Sequence, residues 1–140
     1  MFKDLVVASS ILFVITILIL ALHAIEWIGI TCRKRFVNMN TGQRHLSTSI
    51  LKSGLMIESV YYLITFGFLF IFARKLVLSI IVLVLASLHV TGYVKLESEI
   101  RVGRLWIPSK RRVLGLMIFD LLEIIVLTIL CTEFYTMSLV

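Results

Sequence analysis

The sequence predicts an all-α fold, a four-transmembrane-helix antiparallel bundle forming one domain over residues 1–140. Three observations lead there. Of 140 residues, 60% are hydrophobic and only 16% charged, too little charge for a water-facing globular surface. The apolar residues fall into four stretches of spanning length, and the short polar segments between them hold most of the basic residues. The same composition excludes a disordered chain, and no internal period marks a repeat array.

The spans read as residues 5–30, 50–72, 76–94 and 113–131. Each supplies the roughly 20 residues that a helix rising 1.5 Å per residue needs to cross about 30 Å of hydrocarbon. Backbone groups in such a solvent must be paired within the segment. Four spans are too few for a barrel, so helices are the available solution. The first span is expected to be retained and not cleaved as a signal peptide: Lys3 is followed at once by Asp4, the apolar core is too long, and no convincing small-x-small cleavage site follows. Asn38 to Asn40 and Gly42 separate the first two spans, and Ser47, Thr48 and Ser49 offer hydroxyls to cap the second. Arg74-Lys75 makes a tight link to the third, and Pro108 precedes the fourth.

Charge sets the expected orientation. Loops 31–49 and 95–112 with the adjoining Lys52 hold Arg33, Lys34, Arg35, Arg44, Lys52, Lys95, Arg101, Arg104, Lys110, Arg111 and Arg112, or 11 of 14 basic residues. By the positive-inside rule both loops are cytoplasmic and both termini outside, in a cell (inner) membrane. The net charge of +6 is then a topology signal, and no nucleic-acid partner is needed to explain it. The partners expected are the bilayer, with anionic lipid drawn to Arg101, Arg104, Trp106 and the Lys110-Arg111-Arg112 run, and further copies or other membrane subunits. Gly54, Gly67, Ser87 and Gly92 are small residues where helices can approach. Cys32 and Cys131 lie at opposite depths, so they form no disulfide with each other, and Cys32 is a candidate palmitoylation site.

Six ionisable residues inside the spans carry the functional signal: His23, Glu26, Glu58, His89, Asp120 and Glu123. A charge in hydrocarbon costs at least about 2.5 kcal/mol, so each calls for a partner. Counted from the cytoplasmic helix ends, His23, Glu58, His89 and Asp120 all lie about 10 Å deep, with Glu26 at about 6 Å and Glu123 at about 15 Å. Antiparallel helices thus place them in one layer. His23 with Glu26, and Asp120 with Glu123, are i, i+3 neighbours on one side of a helix. Glu58 shares a face with Tyr61, Tyr62 and Thr65, and His89 with Gly92 and Tyr93.

Four carboxylates cannot all stay ionised together in low dielectric, so protons or a metal must neutralise them. Two imidazoles with four carboxylates is the donor inventory of di-iron four-helix sites, although the Glu-x-x-His order of those sites is absent. The expectation is a metal site drawn from these six residues, with iron, zinc and copper undistinguished and a bis-histidine haem disfavoured by the carboxylates. Such a site would serve redox chemistry on a lipid-soluble substrate or a cofactor-bearing subunit, with Tyr61 or Tyr62 in a hydrogen-bonding or proton-shuttling role. Two alternatives use the same residues: an accessory subunit in which they tie helices together, with Lys52 pairing with Glu58 or Glu26, and a proton or cation transporter. The chain has no Walker loop, GxGxxG, HExxH, GxSxG or CxxC, and its three histidines are too few for the membrane desaturases or haem-copper oxidases.

Overall fold

In a computed structural model the chain is a succession of helices: α1 (Phe2–Cys32), α2 (Thr41–Phe68), which continues as a π-helical turn (Leu69–Ala73), α3 (Leu76–Arg101) and α4 (Lys110–Ser138). The structure describes the backbone of residues 2–32, 41–102 and 110–139, and the side chains of 3–25, 51–99, 101–102, 114–115 and 117–139. Residues 33–40 and 103–109 of the two basic loops, with Asn38 to Asn40, Trp106 and Pro108 among them, and the side chains of Cys32 and Glu26, lie outside that set.

Three helices contain stretches long and apolar enough to cross a membrane: Lys3–Ile25, Leu51–Ala73 and Leu76–Glu99. That count covers the described residues, and in α4 the side chains of 110–113 and 116 lie outside them. Every helix outruns its predicted span, because apolarity measures what hydrocarbon accepts whereas backbone hydrogen bonding continues beyond it. The largest correction is at α2, which begins at Thr41. Gly42 therefore sits in its first turn instead of separating helices, and Ser47, Thr48 and Ser49 are helical residues, not an N-cap.

Helices α1 and α4 form one compact unit and α2 and α3 another. Both are antiparallel pairs. In the first, Phe13 lies against Tyr135, with ring centroids 5.6 Å apart, and His23 against Glu123, so the partner number falls as the α1 number rises. In the second, Leu55 faces Gly92 and Glu58 faces His89. The core of the α1–α4 unit is formed by Ser9, Leu12, Thr16, Ile19 and His23 opposite Glu123, Leu127, Leu130 and Phe134. The spacing alternates three and four residues, the stripe that presents one helical face to one neighbour. The opposite face of α1, with Val7, Ile11, Val14, Leu18, Leu22 and Ile25, is exposed and apolar. A polar-centred core with an apolar exterior is the reverse of a water-soluble pair and matches helices whose surroundings are hydrocarbon.

Hydroxyl groups obey the same constraint. Thr16 donates to Leu12 O at 2.6 Å, Ser59 to Leu55 O at 2.6 Å, Ser79 to Lys75 O at 2.8 Å and Thr128 to Ile124 O at 2.7 Å. Each bonds one turn back on its own helix, so it needs no water. Thr65 is the exception among the described residues: it is fully buried and its hydroxyl has no hydrogen-bond partner.

The expected Arg74-Lys75 link is present. Arg74 takes a left-handed conformation with φ 52°, and the backbone N–H groups of Arg74 and Lys75 both turn back to Leu69 O, the latter at 3.1 Å. A left-handed residue with a Cβ costs about 1–2 kcal/mol, which glycine avoids while losing about 0.5–1 kcal/mol to its freer unfolded chain. Arg74→Gly should therefore raise the stability of the α2–α3 pair slightly, and Arg74→Val should lower it because a β-branched side chain tolerates the left-handed region least, as read from unfolding in detergent.

Candidate functional site

Among the described residues, histidine and glutamate meet once in each helix pair. In the α1–α4 unit, His23 Nε2 lies 3.0 Å from Glu123 Oε2, and both side chains are buried. In the α2–α3 unit, His89 Nε2 lies 3.1 Å from Glu58 Oε2, with His89 buried and 18% of the Glu58 side chain accessible. The other ring nitrogen makes the same contact in both cases. His23 Nδ1 faces Ile19 O at 3.1 Å and His89 Nδ1 faces Leu85 O at 2.8 Å, each one turn back on its own helix.

This geometry fixes the protons. A backbone carbonyl only accepts, so Nδ1 must carry the hydrogen that bonds it. The short Nε2 to Oε2 contact then needs exactly one further hydrogen between the two atoms. It can be held as imidazolium with carboxylate or as imidazole with carboxylic acid, and both descriptions contain the same number of protons and no net charge. Two buried ionisable groups are thereby accommodated without an uncompensated charge, which is what a low-dielectric site demands.

Helix register decides which residues meet. His23 belongs to the described buried stripe of α1 and Glu123 to that of α4, and antiparallel packing brings them level. Tyr62, fully buried four residues beyond Glu58, lies against the His89 ring at 5.2 Å between centroids, and Tyr61 lies 5.1 Å from Tyr62. Tyr62 closes one side of the His89 pair.

The six sequence-predicted residues are thus placed as follows. His23 with Glu123, and Glu58 with His89, are brought together in pairs. Asp120 is half-buried one turn from Glu123 on α4 and engaged in interactions of its own, and the side chain of Glu26 lies outside the described residues. Among the described residues no group of three or more His, Cys, Asp or Glu stands at metal-ligating spacing.

Lys52 does not pair with Glu58, as its position on α2 had suggested. It forms an ion pair with Glu97 of α3, which also accepts from Arg101 Nε at 3.2 Å, and it lies 5.4 Å from the centre of the Tyr93 ring. The reason is register: Lys52 is nearly two turns before Glu58 on α2, so its antiparallel counterpart lies two turns beyond His89 on α3. Glu97 was outside the predicted third span and was missed for that reason. Its i, i+4 spacing from Arg101 was the available signal.

Cutting either member of a pair leaves the other buried without its hydrogen-bond partner, at a cost of about 1–3 kcal/mol. His23→Ala should destabilise the α1–α4 pair and leave the α2–α3 pair intact, with His89→Ala doing the reverse; pair-specific hydrogen exchange of the two helix pairs checks this. The chain matches no family model, no curated protein and no solved structure.

Proposed function

We propose that this chain is a multi-pass membrane protein, with α4 as a fourth span, that binds a transition-metal dication on its His–carboxylate pairs. The observation that carries the reading is the identical preparation of His23 and His89. In each, Nδ1–H is held by a backbone carbonyl and Nε2 is aimed at a carboxylate oxygen. That is the outer-shell arrangement which orients a ligating imidazole and makes its other nitrogen the donor.

The distances suit the exchange. Two ligand atoms each about 2.1 Å from a tetrahedral zinc stand about 3.4 Å apart, a few tenths of an ångström more than the observed 3.0 and 3.1 Å. A dication would take the place of the single hydrogen between Nε2 and Oε2, releasing that proton. Imidazole with carboxylate accepts iron, zinc or copper, and Asp120 and Glu26, each three residues from a paired residue, are the further carboxylates nearest in sequence to the His23–Glu123 pair. Redox chemistry on a lipid-soluble substrate, or service as a cofactor-bearing subunit, is the use such a site would have.

The second reading is structural: the pairs tie helices together in an accessory subunit. It is favoured by their completeness, since each already satisfies both ring nitrogens. Elemental analysis of the protein purified in mild detergent separates the two. Metal in stoichiometric amount that is lost on His23→Ala or His89→Ala supports the first, and a metal-free wild type whose variants only lose stability supports the second.

The orientation proposed has both termini outside and loops 31–49 and 95–112 cytoplasmic in a cell membrane, with anionic lipid against the basic loops. In a chain lacking its two cysteines, a cysteine at Lys3 or Leu139 should react with an impermeant maleimide from outside intact cells. One at Lys95 should react only after permeabilisation.

A further inference from the structure

The two helix pairs are alike in more than their His–Glu contact. His89 follows His23 by 66 residues, and Glu123 follows Glu58 by 65. Applying the first spacing to α1 carries the buried Thr16 and Ile19 onto the buried Val82 and Leu85 of α3, and Leu22-His23 onto Leu88-His89. Applying the second to α2 carries Tyr62, Thr65 and Leu69 onto Leu127, Leu130 and Phe134 of α4, and all six are fully buried.

We infer that the chain is two copies of one two-helix segment, a hairpin in sequence order only, α1 then α2 and α3 then α4, and that its two His–carboxylate pairs are copies of one site. Each copy supplies a histidine from its first helix and a glutamate from its second. The pairing is reciprocal: the first hairpin's histidine meets the second's glutamate, and the second's histidine meets the first's glutamate. The partner for which each hairpin's buried face is shaped is therefore a second copy of itself, here carried on the same chain. Both sites have the same chemistry, whether a metal or only a proton occupies them.

Thr65 follows from this. Its hydroxyl has no hydrogen-bond partner among the described residues, and it occupies the position where the second copy has Leu130. An apolar seat inherited by both copies explains a hydroxyl placed where nothing receives it. Divergence also accounts for the differences beside the sites: residue 120 is Asp where its counterpart 55 is Leu, and residue 26 is Glu where its counterpart 92 is Gly.

Equivalent hairpins can be joined in either order. The Phe13–Tyr135 contact places the start of α1 and the end of α4 at the same end of their pair, as the Arg74-Lys75 link does for α2 and α3. The test is a full-length circular permutant that starts at Lys75, runs through Val140 and a short Gly-Ser linker to Met1, and ends at Arg74. With Cys32 and Cys131 replaced by Ser, oxidative crosslinking is measured for Phe13→Cys with Tyr135→Cys, and separately for Leu55→Cys with Gly92→Cys. Duplication predicts both crosslinks at no less than about half the yield of the natural order. A permutant that inserts but loses either crosslink tenfold overturns it.

Should the permutant fail to insert, Leu127→Tyr in the natural order decides. Equivalence places the new ring against His23 as Tyr62 lies against His89, so the His23 ring protons should shift upfield in the sense that Tyr62→Leu removes from His89. An unmoved His23 resonance in a folded Leu127→Tyr chain overturns the proposal.

Discussion

The rest of the structure depends on one commitment: the Nδ1 of each buried histidine is already bonded to a carbonyl of its own helix. With that nitrogen occupied, the ring can be satisfied only by something that meets Nε2, and the partner must come from another helix. A carboxyl group does so with a single hydrogen and no net charge. Helix register, side-chain burial and the choice of neighbour follow from making that contact once in each pair.

The surrounding residues are consistent with a scarcity of water. Hydroxyls are returned to carbonyls one turn back, the buried stripes hold Ser, Thr and His among Leu, Ile and Phe, and many further large aliphatic side chains are turned outward. In water this distribution would lose the hydrophobic contribution that normally closes a helix pair, which amounts to roughly 25 cal/mol for each Å² of apolar surface buried. In hydrocarbon nothing is lost by leaving Leu and Ile outside, and interhelical hydrogen bonds and close packing carry association instead, at about 0.6 kcal/mol for an average bond. Three helices long and apolar enough to cross a membrane agree with that environment.

The hairpin repeat shows why self-similarity escaped a reading of residue identities. Between the copies, Tyr62 has become Leu127, Thr65 Leu130 and Thr16 Val82, so little of the sequence repeats beyond Leu-His and a glutamate. What persists is burial at the matched positions beside each His–Glu pair, because packing against a neighbour constrains volume and position more tightly than chemistry. His23 and Glu58 were legible as polar residues in apolar stretches, each in need of a partner. That each histidine would meet a glutamate from the other hairpin was not legible, since four candidate acids stood within a few residues of the right depth.

By itself the sequence determined the helical class, the apolar stretches, the tight Arg74-Lys75 link and the identity of the groups that cannot remain unpartnered. Composition and the energy of placing charge in hydrocarbon suffice for those, because both act locally along the chain. Only the tertiary structure decided that α1 pairs with α4 and α2 with α3, that Lys52 turns to Glu97, and that six scattered residues include two discrete His–Glu contacts. Such choices rest on register between helices distant in sequence, where a shift of one residue rotates a side chain by about 100° and replaces its partner.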